Sequence, residues 1–218
     1  MGTPSHTRQT ENGTEAPPGL RPIVAFDFDG TLTVRDSFNA FLRWRVPKRR
    51  FALGLARLAP AFAAYAVERD RGRLKAAAIA EFLSGRRPAE VTEEAARFCD
   101  AVWDRFMRPD ALEVWNRWKA RGAMMVIVTA SPAITVEPFA RRLGADELLG
   151  TRLKLCPDGL ILGPLEGENC RAGEKVVRLR ERFGDGVRLA AAYGDTSGDT
   201  EMLQIADEPG FRVFKGKP

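Results

Sequence analysis

Histidine is almost missing from this chain of 218 residues: His6 is the only one, and it sits in a polar stretch near the start. That shortage excludes Ser-His-Asp triads, Cys-His dyads, HExxH metal sites and histidine phosphorelays together. Cysteine is scarce as well. Cys99, Cys156 and Cys170 stand far apart with no CxxC spacing, so neither a disulfide framework nor a thiolate zinc site is indicated, and a reducing cytoplasm is the expected compartment. The longest apolar stretch, Phe51 to Val67, contains Arg57 and Pro60 and falls short of the roughly 20 residues of a bilayer-crossing helix. No GxGxxG follows a predicted strand, Gly167 to Lys175 has the wrong glycine spacing for a P-loop, and no RNP-type nucleic-acid motif occurs. The chemistry is left to carboxylates, lysine and hydroxyls.

Residues 1–20 are rich in Gly, Pro, Ser and Thr with almost no apolar content, which predicts a disordered leader with neither the apolar segment of an export signal nor the basic character of a transit peptide. Thereafter apolar runs alternate with helical patterns. Pro22–Asp27, Met124–Thr129 and Val187–Tyr193 read as buried parallel strands, and Phe211–Phe214 as a short closing strand. Helices are expected over Asp110–Arg121, Pro132–Leu143, Gly173–Phe183 and Thr200–Ala206. The alternation predicts an α/β fold, a Rossmann-like doubly wound parallel sheet whose ligands lie outside the carboxyl ends of its strands. About a hundred residues separate the first two strands, far more than one crossover needs. Residues 36–106 are therefore expected to form an inserted α-helical cap, broken near Pro47, Gly72 and Ser84-Gly85, over a core made of 21–35 and 107–218. Arg152–Leu155, Pro157-Asp-Gly and Leu160–Leu162 predict a small β-hairpin.

Polar residues collect where the strands end. Asp27 and Asp29 flank Phe28 after the first strand, a costly place for two carboxylates without a cation or a proton. Asp195 and Asp199 follow the third strand and add oxygen ligands of the hard type Mg²⁺ favours. Thr129 and Ser131 end the second strand as hydrogen-bond donors for an anion, and Lys175 opens a helix where its charge meets the same anion. The expected ligand is a phosphate beside a divalent cation. Ser131 before Pro132 is also a candidate helix N-cap, Asp36 is an N-cap or a substrate contact, and Trp103, Trp115 and Trp118 are expected in the core.

With these residues in view, the chain resembles the haloacid dehalogenase superfamily, in the branch of phosphatases with a helical cap that includes phosphoserine phosphatases. Asp27-Phe-Asp29-Gly-Thr31 resembles the first motif of that family, Val126-Ile-Val-Thr129 the second, Lys175 the third, and Gly194-Asp195-Thr-Ser-Gly-Asp199 the fourth. The resemblance implies a phosphomonoester hydrolase in which Asp27 is the nucleophile and forms an aspartyl-phosphate, and Asp29 is general acid and base. It implies Mg²⁺ held by Asp27, the Asp29 carbonyl and Asp195, with Asp199 a direct ligand or hydrogen-bonded to one. Thr129 and Lys175 would stabilise the phosphoryl oxygens, assisted by backbone amides near Gly30 and Ser131. Two departures leave the substrate open: Gly198 stands where many phosphoserine phosphatases have Asn, and Asp36 where they tend to have Glu. Transfer to another acceptor uses the same residues, and an inactive scaffold serving as a basic membrane- or nucleic-acid-binding module is a further alternative.

The cap carries the charge asymmetry. From Arg43 to Lys75 there are ten basic residues against Glu68 and Asp70, interleaved with Trp44, Phe51, Leu53, Leu55, Leu58, Phe62 and Tyr65. Either the apolar face packs inside the cap with the charges solvated, or the segment lies on an anionic membrane; in the latter case the cap's resemblance to phosphatidylglycerophosphatase-like members of the family implies a lipid phosphate rather than a small molecule as substrate.

Overall fold

The computed structural model describes residues 21–218; the expected leader over 1–20 lies outside them. Strand β1 (Ile23–Phe26) forms because its side chains are apolar on both faces. Val24 and Phe26 join a core cluster with Trp115 and Phe139, while Ala25 joins a second cluster with Leu179, Met202 and Leu203. A strand buried from both sides needs a helical layer on each face. Helices α6 (Pro109–Ala120) and α7 (Ala133–Leu143) supply one layer, α8 (Gly173–Phe183) and α9 (Thr200–Gln204) the other.

The sheet has six strands in the order β4-β3-β2-β1-β5-β6, with β2 (Met124–Pro132), β3 (Glu147–Leu155), β4 (Ile161–Glu166), β5 (Leu189–Gly194) and β6 (Ala206–Phe211). All pairings are parallel except β3 with β4. The chain builds from β1 through β2 to β3, then crosses to β5 on the other flank of β1. A crevice opens at such a reversal, beyond the carboxyl ends of β1 and β5. The Rossmann-like parallel sheet expected from the sequence is the one observed.

Two expectations are corrected. The closing strand is Ala206–Phe211, not Phe211–Phe214; Phe214 instead packs its ring against Phe26 and Tyr193. The hairpin is longer than its turn suggested, because β3 begins at Glu147 and pairs with β2, which makes the hairpin the edge of the main sheet. The break expected near Gly72 is present, at Arg69-Asp70, and Gly72 itself lies in the first turn of the next helix, Arg71–Phe82, which Asp70 caps by accepting from the Arg73 N–H.

The long insertion leaves and returns side by side. The Val34 N–H donates to the Phe106 carbonyl and the Arg108 N–H to the Leu32 carbonyl, at 2.9 and 2.8 Å. Between them run α1 (Ser37–Arg45), α2 (Lys48–Arg57), α3 (Ala59–Glu68), α4 (Arg71–Phe82) and α5 (Pro88–Phe106). Because this stem sits just past β1, the helices stand over the crevice. Helix α5 anchors them, burying Val91, Ala95, Phe98, Val102 and Phe106 at helical spacing.

Candidate functional site

Immediately after β1 the chain turns tightly over Phe28–Leu32. Gly30 has φ +86° there, and a Cβ at this position would run into the Asp195 carboxylate. Glycine thus lets two acidic loops meet. Gly194 does the same for the Asp199 side chain. Asp27, Asp195 and Asp199 each offer one oxygen within 4.8 Å of the others.

Three like charges this close require compensation, and Lys175 supplies part of it. Its buried ammonium donates to Asp27 Oδ1, Asp199 Oδ1 and the Val128 carbonyl, each at 2.6 Å. Burial acts to lower the pKa of this lysine; Asp27 and Asp199 outweigh it and raise the pKa. Burial also acts upward on Asp199, but Lys175 and the Thr196 N–H hold its carboxyl below the usual range. Asp27 goes the other way: burial pushes it up to about 7 against the pull of Lys175. Asp195 is raised as well, by burial and by Asp199, and its Oδ1 is buried with no hydrogen-bond partner among the described residues. An unpartnered carboxylate oxygen facing two further carboxylates, all hard oxygen donors, fits a divalent cation such as Mg²⁺.

Asp29 is held apart from this cluster. Its Oδ1 accepts from the Ser37 N–H at 2.6 Å and its Oδ2 from the Ser131 hydroxyl at 2.5 Å. Ser131 is therefore no N-cap; Pro132 takes that place without a side-chain bond. Thr129 is fully buried and off the cavity lining, its hydroxyl accepting from the Ser131 N–H at 3.0 Å. Asp36 caps α1 through the Asn39 N–H at 2.7 Å and also lines the cavity; burial and Asp29 raise its pKa.

The cavity has a volume of about 600 Å³ and two unlike ends. At the sheet lie Asp27, Asp29, Ser131, Lys175, Asp195 and Asp199; toward α2–α4 lie Leu42, Phe51, Leu55, Leu58, Phe62 and Leu74. Between them stand residues that the motifs did not reveal. Lys75 of α4 reaches across to the Ala130 carbonyl and to Asn169 Oδ1, the latter at 3.0 Å. Burial pulls its ammonium down to about 8, with Asp29 and Asp36 opposing. Arg71, Arg108 and Arg171 also face the cavity. The basic surplus from Arg43 to Lys75 was the available signal for Lys75, but nothing in it singled out this residue.

The sequence model of the haloacid dehalogenase-like hydrolases matches residues 24–204. The chain belongs to that family. It is 62% identical to Protein CicA of Caulobacter vibrioides over 196 residues, covering 90% of this chain and 88% of that one. It is 28% identical to phosphoserine phosphatase SerB1 of Mycobacterium tuberculosis over 207 residues, 88% of this chain and 64% of that protein. Among solved structures, a Bordetella pertussis Tohama I protein with unknown function superposes with a TM-score of 0.70 at 24% identity, covering 88% and 89% of the two chains. A substrate-bound phosphoserine phosphatase does so at 0.57 and 21% identity, covering 88% and 86%, a likeness of fold. The family inferred from the four motifs is thus the family found.

Proposed function

We propose that this hydrolase is a Mg²⁺-dependent phosphomonoester phosphatase of the cytoplasm, working through an aspartyl-phosphate on Asp27 with a small-molecule or lipid phosphate as substrate. The observation that carries this reading is the unpartnered, buried Oδ1 of Asp195 beside Asp27 and Asp199. Asp27, Asp195 and the Asp29 carbonyl would hold the ion, with Asp199 as ligand or support. Bound there, Mg²⁺ supplies positive charge against the repulsion between an anionic nucleophile and an anionic ester.

The chain's own groups do the rest. Lys175 fixes Asp27 by direct contact, so a carboxylate oxygen faces the cavity for attack on phosphorus. As that P–O bond forms, the bond to the ester oxygen breaks, and Asp29 gives this leaving oxygen its proton. In the second half Asp29 takes a proton from water as the water attacks the phosphoryl group; the bond to Asp27 breaks and inorganic phosphate leaves. Ser37 and Ser131 hold the Asp29 carboxyl for both transfers. The phosphoryl oxygens meet backbone amides near Gly30 and Ser131, and Lys175, its three N–H groups held by Asp27, Asp199 and the Val128 carbonyl, lends them its charge, while Thr129 acts through Ser131 and Asp36 borders the space for the organic group.

Hydrolysis of an aryl phosphate in Mg²⁺, abolished by chelation and by Asp27→Asn, is the test. An inert wild-type chain overturns the proposal. Phosphorylated alcohols appearing among the products with added acceptors would make it a transferase instead.

A further inference from the structure

Helix α3 reverses the usual order of a surface helix. Ala59, Phe62, Ala63, Ala66 and Val67 recur at i, i+3, i+4, i+7 and i+8, and every one is exposed. None of the ten residues of α3 is buried. A helix on a globular domain turns such a stripe to the core and its polar face to water; here the stripe is outside. Helix α2 adds Leu53, exposed at 50%, while Leu55, two residues on and so on the opposite face, turns toward the cavity. Leu58 is buried and Phe51 and Ala61 pack against the core, but the outer stripe of α3 does not pack away inside the cap.

Cations rim this patch. Arg43, Lys48, Arg49 and Arg69 are exposed, and among the described residues they make no ion pair. Arg49, Leu53 and Arg57 follow at steps of four along α2, so charge and apolar surface share one face. Of the nearby acids, Glu68 is taken by Arg73, Asp70 caps α4, and Glu81 pairs with Arg50 and Arg57. A contiguous exposed apolar surface marks an interaction site, and a basic rim selects an anionic partner. A nucleic acid would match the cations and leave Leu53, Phe62 and Val67 in water. An anionic bilayer satisfies both. Neither helix alone is long enough to span, since ten residues give about 15 Å, and the two together would make a span bent by 51° at its break that carries Lys48, Arg49, Arg50 and Arg57 in its first half. A helix pair of this kind lies in the interface plane.

The patch is continuous with the active cavity. Phe62 belongs to the stripe and also lines the cavity, and Leu55 lines it from α2, so its apolar end is walled by the helices that would touch lipid. We propose that α2 and α3 dock the protein in-plane on an anionic bilayer, which gives the apolar end of the cavity access to the acyl part of a membrane phosphoester. The docking stands on the exposed stripe and its rim; the route of the substrate rests on the phosphatase reading.

Vesicle sedimentation without Mg²⁺ separates the two. The full chain, as wild type and as the hydrolytically silent Asp27→Asn, is expected to sediment with phosphatidylcholine vesicles containing about one third phosphatidylglycerol, and not with phosphatidylcholine alone. Raising salt from about 0.1 to about 0.5 M weakens partitioning by about tenfold or more. Leu53→Glu with Val67→Glu lowers it by at least about tenfold. The exposed pair Lys48→Glu with Arg49→Glu gives a comparable loss through charge and covers a failure of the first variant to fold. Absence of sedimentation at low salt, binding that neither variant weakens, or retention on duplex DNA in place of vesicles overturns the docking proposal. None of these outcomes alters the aryl phosphate assay, which is read without lipid.

Discussion

Strand β2 and helix α3 are both mostly apolar, yet they end in opposite surroundings. Met125 to Val128 are completely buried between two helical layers, whereas α3 buries no residue. Apolar content therefore says that a segment needs a partner, not that the partner is the protein's own core. In β2 the partners are strands β1 and β3 and helices on both faces; in α3 the outer stripe stays exposed among the described residues. The same division runs through the cavity, with charge chemistry at the sheet and an apolar wall at the insertion.

Substitutions at the sheet end are expected to abolish chemistry, and those at the insertion to alter only what is bound. Asp27→Asn should lower aryl phosphate hydrolysis by about 10⁴-fold or more, because removing a nucleophile disables the whole unit; residual activity near wild type would break the division. In stability, Trp115→Ala, which empties a fully buried site beside Phe26, should cost about 3–5 kcal/mol. Val67→Ala at the 84% exposed end of α3 should stay within about 0.5 kcal/mol. Denaturant melts of both variants check the contrast, and equal losses would mean that α3 is packed after all.

The carboxylate cluster gives a third contrast. Mg²⁺ at about a hundred times its dissociation constant should stabilise the fold by about 2.7 kcal/mol, read as a rise in Tm of several degrees. Asp195→Asn should lose most of that rise; an undiminished shift would place the ion elsewhere. The smallest effect concerns Lys75, where insertion and sheet meet. As pH rises through about 8 its ammonium gives up its proton, so the KM for an anionic ester should climb there, and Lys75→Gln should flatten that climb. An identical pH profile in the variant would remove Lys75 from substrate binding.

The sheet end was the legible half. Apolar runs that stop at Asp27, Thr129 and Asp195 announce strands ending in a functional loop, since burial on both faces demands unbroken apolar sequence. Strand β6 was missed for the converse reason: Ala-Asp-Glu-Pro-Gly-Phe carries two acids and a proline, and an edge strand takes its pairing from the neighbouring backbone. Ser131 looked like a cap beside Pro132, but its hydroxyl goes to Asp29, 102 residues away in sequence. Lys75 and Asn169 meet across a comparable gap. Long-range pairs of single polar side chains leave no local period to read. For α3 the sequence allowed packing or exposure, and only the tertiary arrangement decides between them.

The central claim is that Asp27 carries the phosphoryl group during turnover. Acid-quenching the enzyme with an aryl phosphate and Mg²⁺, then mapping the modified peptide by mass spectrometry, tests it directly. The account predicts one phosphoryl group on the carboxylate of Asp27, absent from Asp27→Asn. Phosphorylation of another residue, or turnover with a wholly unmodified protein at every quench time, would contradict it.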